Sequence, residues 1–208
     1  SSKTNISLTY DSETSNNTLI KNTSTAIKDF DSSFWGLQFN YIKPSNVHFF
    51  ENKYFLKLGY SIGKRKIENN ETNQFKINLK TSYLLPFNDK NYLYIKNHSG
   101  YIDSDNYLMN ELYRIGGINS IRGFNEESIF TSTFSYFNIE YRYLTSKESY
   151  LYTISDLGII KTFISDKEKL LSLGLGYLFI IKNTKVNLNY VFGSNSNSSI
   201  GVIIKSFF

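Results

Sequence analysis

Apolar and polar residues alternate through most of the chain, in about ten stretches near 3–10, 33–42, 53–65, 72–85, 91–102, 131–144, 148–161, 168–181, 184–193 and 199–208. A period of two marks extended strands, whose side chains leave on opposite faces in turn. In 131–144, Phe137, Ile139, Tyr141 and Tyr143 share one face and Tyr136, Asn138, Glu140 and Arg142 the other. In 184–193, Val186, Leu188, Tyr190 and Phe192 oppose Lys185, Asn187 and Asn189. In 168–181, Leu171, Leu173, Leu175, Tyr177 and Phe179 oppose Ser172, Gly174 and Gly176, and in 72–85, Phe75, Ile77 and Leu79 oppose Gln74, Lys76, Asn78 and Lys80. The pattern predicts an all-β chain forming one domain over residues 1–208.

Alternation alone fits two architectures. A soluble β-sandwich turns one face of each strand to water, whereas a transmembrane antiparallel β-barrel turns the apolar face to lipid and the polar face to its lumen. The stretches approach the ~9–11 residues that a tilted strand needs to cross a bilayer. Their polar faces repeat Asn, Gln, Lys, Glu and Gly, and Tyr and Phe gather near several strand ends, as in an interfacial girdle.

The joins sharpen the picture. Residues 11–32, 66–71, 102–130, 163–167 and 193–197 are long or intermediate, while 86–90, 145–147 and 182–183 are short, and the two sets alternate along the chain. Outer-membrane barrels distribute surface loops and periplasmic turns in this way. The join 43–52 is the exception, longish on the short side.

Composition and charge remove several function classes. The chain holds 17 Tyr, 17 Phe and one Trp against two Pro, which favours strands and turns. It has no cysteine, hence no disulfide, thiolate metal site or cysteine nucleophile. The net charge of +5 comes from scattered Lys and Arg, so no nucleic-acid partner is expected. No apolar run is long enough for a membrane-spanning helix, and the opening SSKTNISLTY has neither a basic nor an apolar leader region, so any signal peptide is expected to have been removed. Neither point counts against a barrel, whose signal per strand is weak.

One segment breaks the alternation: Arg114-Ile-Gly-Gly-Ile-Asn-Ser-Ile-Arg-Gly-Phe124, inside the long join 102–130. It is too irregular for a strand and too rich in glycine for a helix. Read from Glu111 to Phe124, and followed by Asn138-Ile-Glu-Tyr-Arg-Tyr143 and Ile154-Ser-Asp-Leu-Gly158, it resembles the C-terminal barrel region of the BamA, TamA and FhaC superfamily of outer-membrane insertases and two-partner-secretion transporters. Five alternating segments follow the motif here, as five strands follow it in the family.

The resemblance implies a barrel of about sixteen strands, of which this chain would supply the last ten or so, with periplasmic POTRA domains and the first strands outside it. A fragment of a longer protein is the favoured reading over a shortened barrel or strands supplied from elsewhere. It implies a loop that folds back into the lumen, where Gly116, Gly117 and Gly123 allow the sharp bends and close approach. Arg122 is then expected to reach Asp156 on an inward face, with Phe124 packing beside it. Glu140, inward by the alternation, is a second candidate acceptor, though it fits a lumenal filler equally well. The implied activity is the insertion or translocation of β-rich client proteins. Expected partners are membrane lipids, unfolded or secreted clients and periplasmic accessory proteins, with no cofactor and no metal.

The C-terminal Val202, Ile204 and Phe208 resemble the β-signal of outer-membrane proteins, although Ser206 stands where an apolar residue is usual. A closing strand that merely ends in aromatics fits the same residues. Two alternatives from other classes remain: a barrel enzyme built on His98, with Ser99 beside it, and a soluble β-sandwich adhesin. His48 and His98 belong to no visible catalytic or metal-binding spacing.

Overall fold

The structure, a computed structural model, describes residues 1–15, 29–47, 50, 52–162, 167–194 and 198–206. Ten strands form one antiparallel sheet: β1 (Lys3–Ser15), β2 (Phe30–Pro44), β3 (Asn52–Ile67), β4 (Asn70–Pro86), β5 (Asn91–Ser104), β8 (Thr133–Ser146), β9 (Ser149–Lys161), β10 (Glu168–Ile181), β11 (Thr184–Gly193) and β12 (Ser198–Ser206). Each pairs with its neighbour in sequence, so the sheet is a meander interrupted only between β5 and β8. In that interval lie a 3₁₀ turn (Met109–Glu111) and a two-stranded ribbon of β6 (Tyr113–Ile115) and β7 (Ile129–Thr131).

This ribbon corrects two expectations. The strand expected from 131 begins at Thr133, and the join before it is a hairpin that carries the glycine-rich motif at its tip. The loop's two legs satisfy their own backbone groups, which a segment leaving the wall must do. The joins also differ in detail. The turn between β3 and β4 is only residues 68–69, with Glu68 at φ 53°, although it lies at the long-loop end. The turn between β2 and β3, at the short-turn end, sends Phe50 back onto the sheet's inner face, where its ring meets those of Tyr92 and Tyr150 at 5.1 and 5.5 Å. That packing accounts for its extra length.

The burial pattern is inside out. On β9, Tyr152, Ile154, Asp156 and Ile160 are buried while Leu151, Leu157 and Ile159 are exposed. On the outer face Ile6, Leu8, Leu175 and Ile200 are 61–78% exposed, whereas Arg65, Arg122 and Asp156 are at most 7% exposed. A soluble sandwich could not leave so much contiguous apolar surface in water. The outer face also carries two aromatic levels. Tyr10–Trp35, Tyr60–Phe75 and Phe75–Tyr101 are in ring contact at 4.8, 6.4 and 5.5 Å toward the long-loop end, and Tyr41–Tyr54 and Tyr54–Tyr83 at 5.7 and 6.3 Å toward the short-turn end. From Phe75 to Tyr83 on β4 is about 26 Å along the strand at ~3.3 Å per residue, or about 20 Å across a bilayer at a ~40° tilt. An apolar band between two aromatic girdles is the outer surface of a transmembrane β-barrel wall.

Candidate functional site: the loop tip on the inner wall

The motif at the hairpin tip closes on itself before it meets the wall. The Gly117 N–H donates to the Ile121 carbonyl at 3.0 Å, the Ser120 N–H to the Gly117 carbonyl at 3.2 Å, and the Gly116 N–H to the Ser120 hydroxyl at 2.7 Å. Gly116, Gly117 and Gly123 have φ of 111°, 93° and 84°, a region costly for other residues. At Gly123 space is a second constraint, since a Cβ there would lie 2.8 Å from the Gly193 nitrogen on β11.

This tight turn delivers Arg122 to two carboxylates. Its backbone N–H and its Nε each donate to Asp156 Oδ2 at 2.9 Å, and its Nη2 donates to Asp156 Oδ1 at 2.6 Å. Its Nη1 donates to Glu140 Oε1 at 2.6 Å, and the other Glu140 oxygen accepts from Arg142 Nε and Nη2 at 2.8 and 2.6 Å. Two cations and two anions thus form one nearly water-free network, with Asp156 fully buried and Glu140 7% exposed. Burial alone would lower the Arg122 pKa. The hydrogen bonds that Asp156 accepts and the charges of Glu140 and Asp156 outweigh it and raise the pKa, so the guanidinium stays charged. The bidentate geometry at Asp156 needs the planar fork of arginine.

Strand parity explains why Asp156 can receive it. Asp156 stands opposite Asn138 on β8 and Ser172 on β10, small polar neighbours that leave room above the carboxylate. Asn138 Nδ2 donates to the Ser120 carbonyl at 2.8 Å. Two residues on, Gly158 makes a notch: a Cβ there would come within 2.6 Å of Ile121 Cδ1. Ile121 and Phe124 are buried in one apolar cluster with Phe134, Tyr136, Ile160 and Leu170. At β12, Gly201 similarly receives Ile118.

A second anchor at the loop's root is not visible in the motif. Arg65 on β3 and Glu111 in the 3₁₀ turn form a pair buried to 1% and 3% side-chain exposure. Arg65 Nη1 lies 2.6 and 2.7 Å from the two Glu111 oxygens and donates to the Asn106 carbonyl at 2.8 Å. Gln74 Nε2 adds bonds to Glu111 and to the Ser104 hydroxyl, both at 3.0 Å, and Asn110 Nδ2 reaches the Ser15 hydroxyl at 2.7 Å. The root is therefore tied to β1, β3 and β4, and the tip to β8, β9, β11 and β12. The one hint in sequence is that Arg65 is the single arginine on the inward parity of β3.

The remaining candidates stand apart from the loop tip. Val202 and Ile204 lie on the outer face of β12, 55% and 65% exposed, and Phe208 lies outside the described residues, as does His48. The ring nitrogens of His98 pair with the Tyr136 hydroxyl at 3.0 Å and with Asn78 Nδ2 at 3.1 Å. Ser99 points to the opposite face, where it bonds Asn97 and Ser135, so the two form no nucleophile–base couple. Among the described residues no cluster of His, Asp and Glu is arranged to hold a metal.

The chain matches the family described as haemolysin secretion/activation protein ShlB/FhaC/HecB over residues 1–178. Among solved structures it is similar to CdiB from Acinetobacter baumannii, with a TM-score of 0.63 and 16% sequence identity over 85% of this chain and 33% of that one. That likeness concerns the fold, and the chain spans about a third of that protein's length. No curated protein sequence matches the chain.

Proposed function

The chain belongs to the haemolysin secretion/activation protein family ShlB/FhaC/HecB, and on that premise we propose that it is the lumen-bearing part of an outer-membrane transporter that passes a secreted, β-rich partner protein across the bacterial outer membrane. The observation that carries this reading is an inside-out sheet whose polar face is occupied by a loop fastened through Arg122 to Asp156 and Glu140. A wall with a lipid-facing exterior and a braced polar interior is built to conduct or hold a chain.

Residues 1–208 form one barrel segment, the C-terminal strands of a barrel of about sixteen, with POTRA domains and the first strands lying outside this sequence. Gly116, Gly117, Arg122, Gly123 and Phe124 are the bracing tip, Asp156 and Glu140 its receptor on the wall, and Val202, Ile204 and Phe208 the signal for assembly into the membrane. The work of these residues is binding and release, with no covalent step and no cofactor. Lipids contact the outer face, and periplasmic accessory proteins deliver the client. The loop signature also relates the chain to the BamA and TamA insertases, but the family match favours secretion over insertion.

Deletion of the gene is expected to remove the client from the medium while it persists in the periplasm. The full-length protein should fractionate with outer membranes, be extracted only by detergent and migrate anomalously on gels without heating. A client that reaches the medium unchanged in the deletion strain would refute the transporter reading.

A further inference from the structure

Four cations on the inner face have a carboxylate partner. Arg65 holds Glu111, Lys76 holds Glu13 at 3.4 Å, and Arg122 and Arg142 share Asp156 and Glu140. Three do not. Lys57 on β3 faces Lys80 on β4 directly across the ladder, and Lys80 faces His98 on β5. Lys96 lies two residues from His98 on the same face, diagonal to Lys80 and within side-chain reach of it. Register fixes this face as the inner one, because the row continues from His98 to Tyr136 and Gly158, beneath the loop tip.

Among the described residues no carboxylate pairs with Lys57, Lys80 or Lys96. Lys96 Nζ donates to the Asn119 carbonyl of the loop at 3.5 Å, and it feels the charges of Glu140 and Asp156 at longer range, opposed by those of Arg122 and Lys80. The same row extends through Asn40 and Asn5, which are uncharged. All three lysines are half-buried. Like charges placed directly opposite one another destabilise a sheet, and a half-buried site strengthens the repulsion. An arrangement that the fold alone disfavours makes sense when an anion completes it.

We propose that Lys57, Lys80 and Lys96 form an anion-binding shelf on the lumenal wall, reaching the loop at Lys96, that takes carboxylate side chains of an extended polypeptide in transit. Three ammonium groups on three adjacent strands span a width suited to successive acidic residues of an extended chain, whose like-facing side chains repeat every second residue. Lysine suits this use: a compact charge on a flexible stem binds carboxylates without the fixed fork that would hold them in one geometry. The asparagines of the same row can hydrogen-bond a passing backbone without adding charge. The inference rests on the transporter reading for the identity of the occupant and on the wall's own charges for the site.

The test is equilibrium binding to the full-length protein in non-ionic detergent, which does not depend on transport. Glu-Ser, Lys-Ser and all-Ser repeat peptides carrying an uncharged dye are followed by fluorescence anisotropy. The Glu-Ser peptide is expected to bind most tightly and to weaken as salt shortens the screening length from about 30 Å at 0.01 M to about 10 Å at 0.1 M. The Lys57→Gln/Lys80→Gln/Lys96→Gln variant should bind it about tenfold more weakly, which is ~1.4 kcal/mol. The corresponding triple Arg variant should retain binding, which separates loss of charge from loss of fold. Equal binding of the Lys-Ser peptide, or unchanged affinity in the triple Gln variant, overturns the shelf. Displacement by free glutamate at concentrations comparable to the peptide overturns the polypeptide as its ligand. Lysine-dependent binding in a protein that secretes nothing would refute transport and keep the shelf, while intact secretion with lysine-independent binding would do the reverse.

Discussion

Replacing Arg122 with alanine removes three side-chain hydrogen bonds, two to Asp156 and one to Glu140. The two acceptors are left in different states. Glu140 keeps Arg142, whereas Asp156, fully buried, keeps only the Arg122 backbone N–H among the described residues. Removing one partner of a buried ion pair costs about 3–5 kcal/mol, and Arg122→Ala is expected in that range. Asp156→Ala is milder, about 2–4 kcal/mol, because Arg122 still has Glu140. Once either side chain is gone most of the interaction is gone, so the double variant should lose about 4–5 kcal/mol rather than the sum. The resulting coupling of about 1–4 kcal/mol reaches the upper end for residues in direct contact. Equilibrium unfolding of the reconstituted protein measures it, read from Trp35, the single tryptophan of residues 1–208, on the outer face of β2. Secretion of the client gives a second readout. Additive losses in the double variant, or a larger loss for Asp156→Ala than for Arg122→Ala, would refute the network as drawn.

Three further outcomes follow from the same structure. Gly123→Ala combines a φ of 84° with a Cβ 2.8 Å from the Gly193 nitrogen, and a strain of about 1–3 kcal/mol should free the tip and expose 114–124 to added protease. Arg65→Ala or Glu111→Ala strands the other charge of a pair buried to 1% and 3% exposure and should loosen the root, with proteolysis near 105–112 preceding cleavage at the tip. Leu173→Lys, on the apolar outer face of β10, should cost about 2–4 kcal/mol in a bilayer, whereas Ser33→Lys, beyond the aromatic level on β2, should be nearly neutral; equal effects would contradict the placement of the apolar band.

What sequence revealed and what it hid follow from the range of the physics involved. Alternation is local, so the inward set of β9, Tyr152, Ile154, Asp156 and Gly158, could be read before any coordinates, as could the outward set of β8. The glycines of the loop announced unusual backbone for the same reason. The ribbon of β6 and β7 was hidden because each leg has three residues, too few to display a period. The pair of Arg65 with Glu111 was hidden because it spans 46 positions and depends on the curvature of the sheet. The close approach of Gly123 to Gly193 could not be read either, since neither glycine signals its partner. Phe50 was unreadable as a core residue because it sits in a turn.

The fit of Ile121 over Gly158 has a consequence for assembly. Polar, glycine-bearing strands are prone to slide against each other, and a slide of one position reverses every side chain. The loop tip presents an arginine and an isoleucine to an aspartate and an empty notch two residues apart on β9, flanked by Asn138 and Ser172 from the strands on either side. If β8 were misaligned by two positions, Tyr136 or Glu140 would stand opposite the aspartate in place of Asn138 and the insert would find no seat. A seated tip therefore requires β8, β9 and β10 to be in register together, so one contact depends on the alignment of three strands.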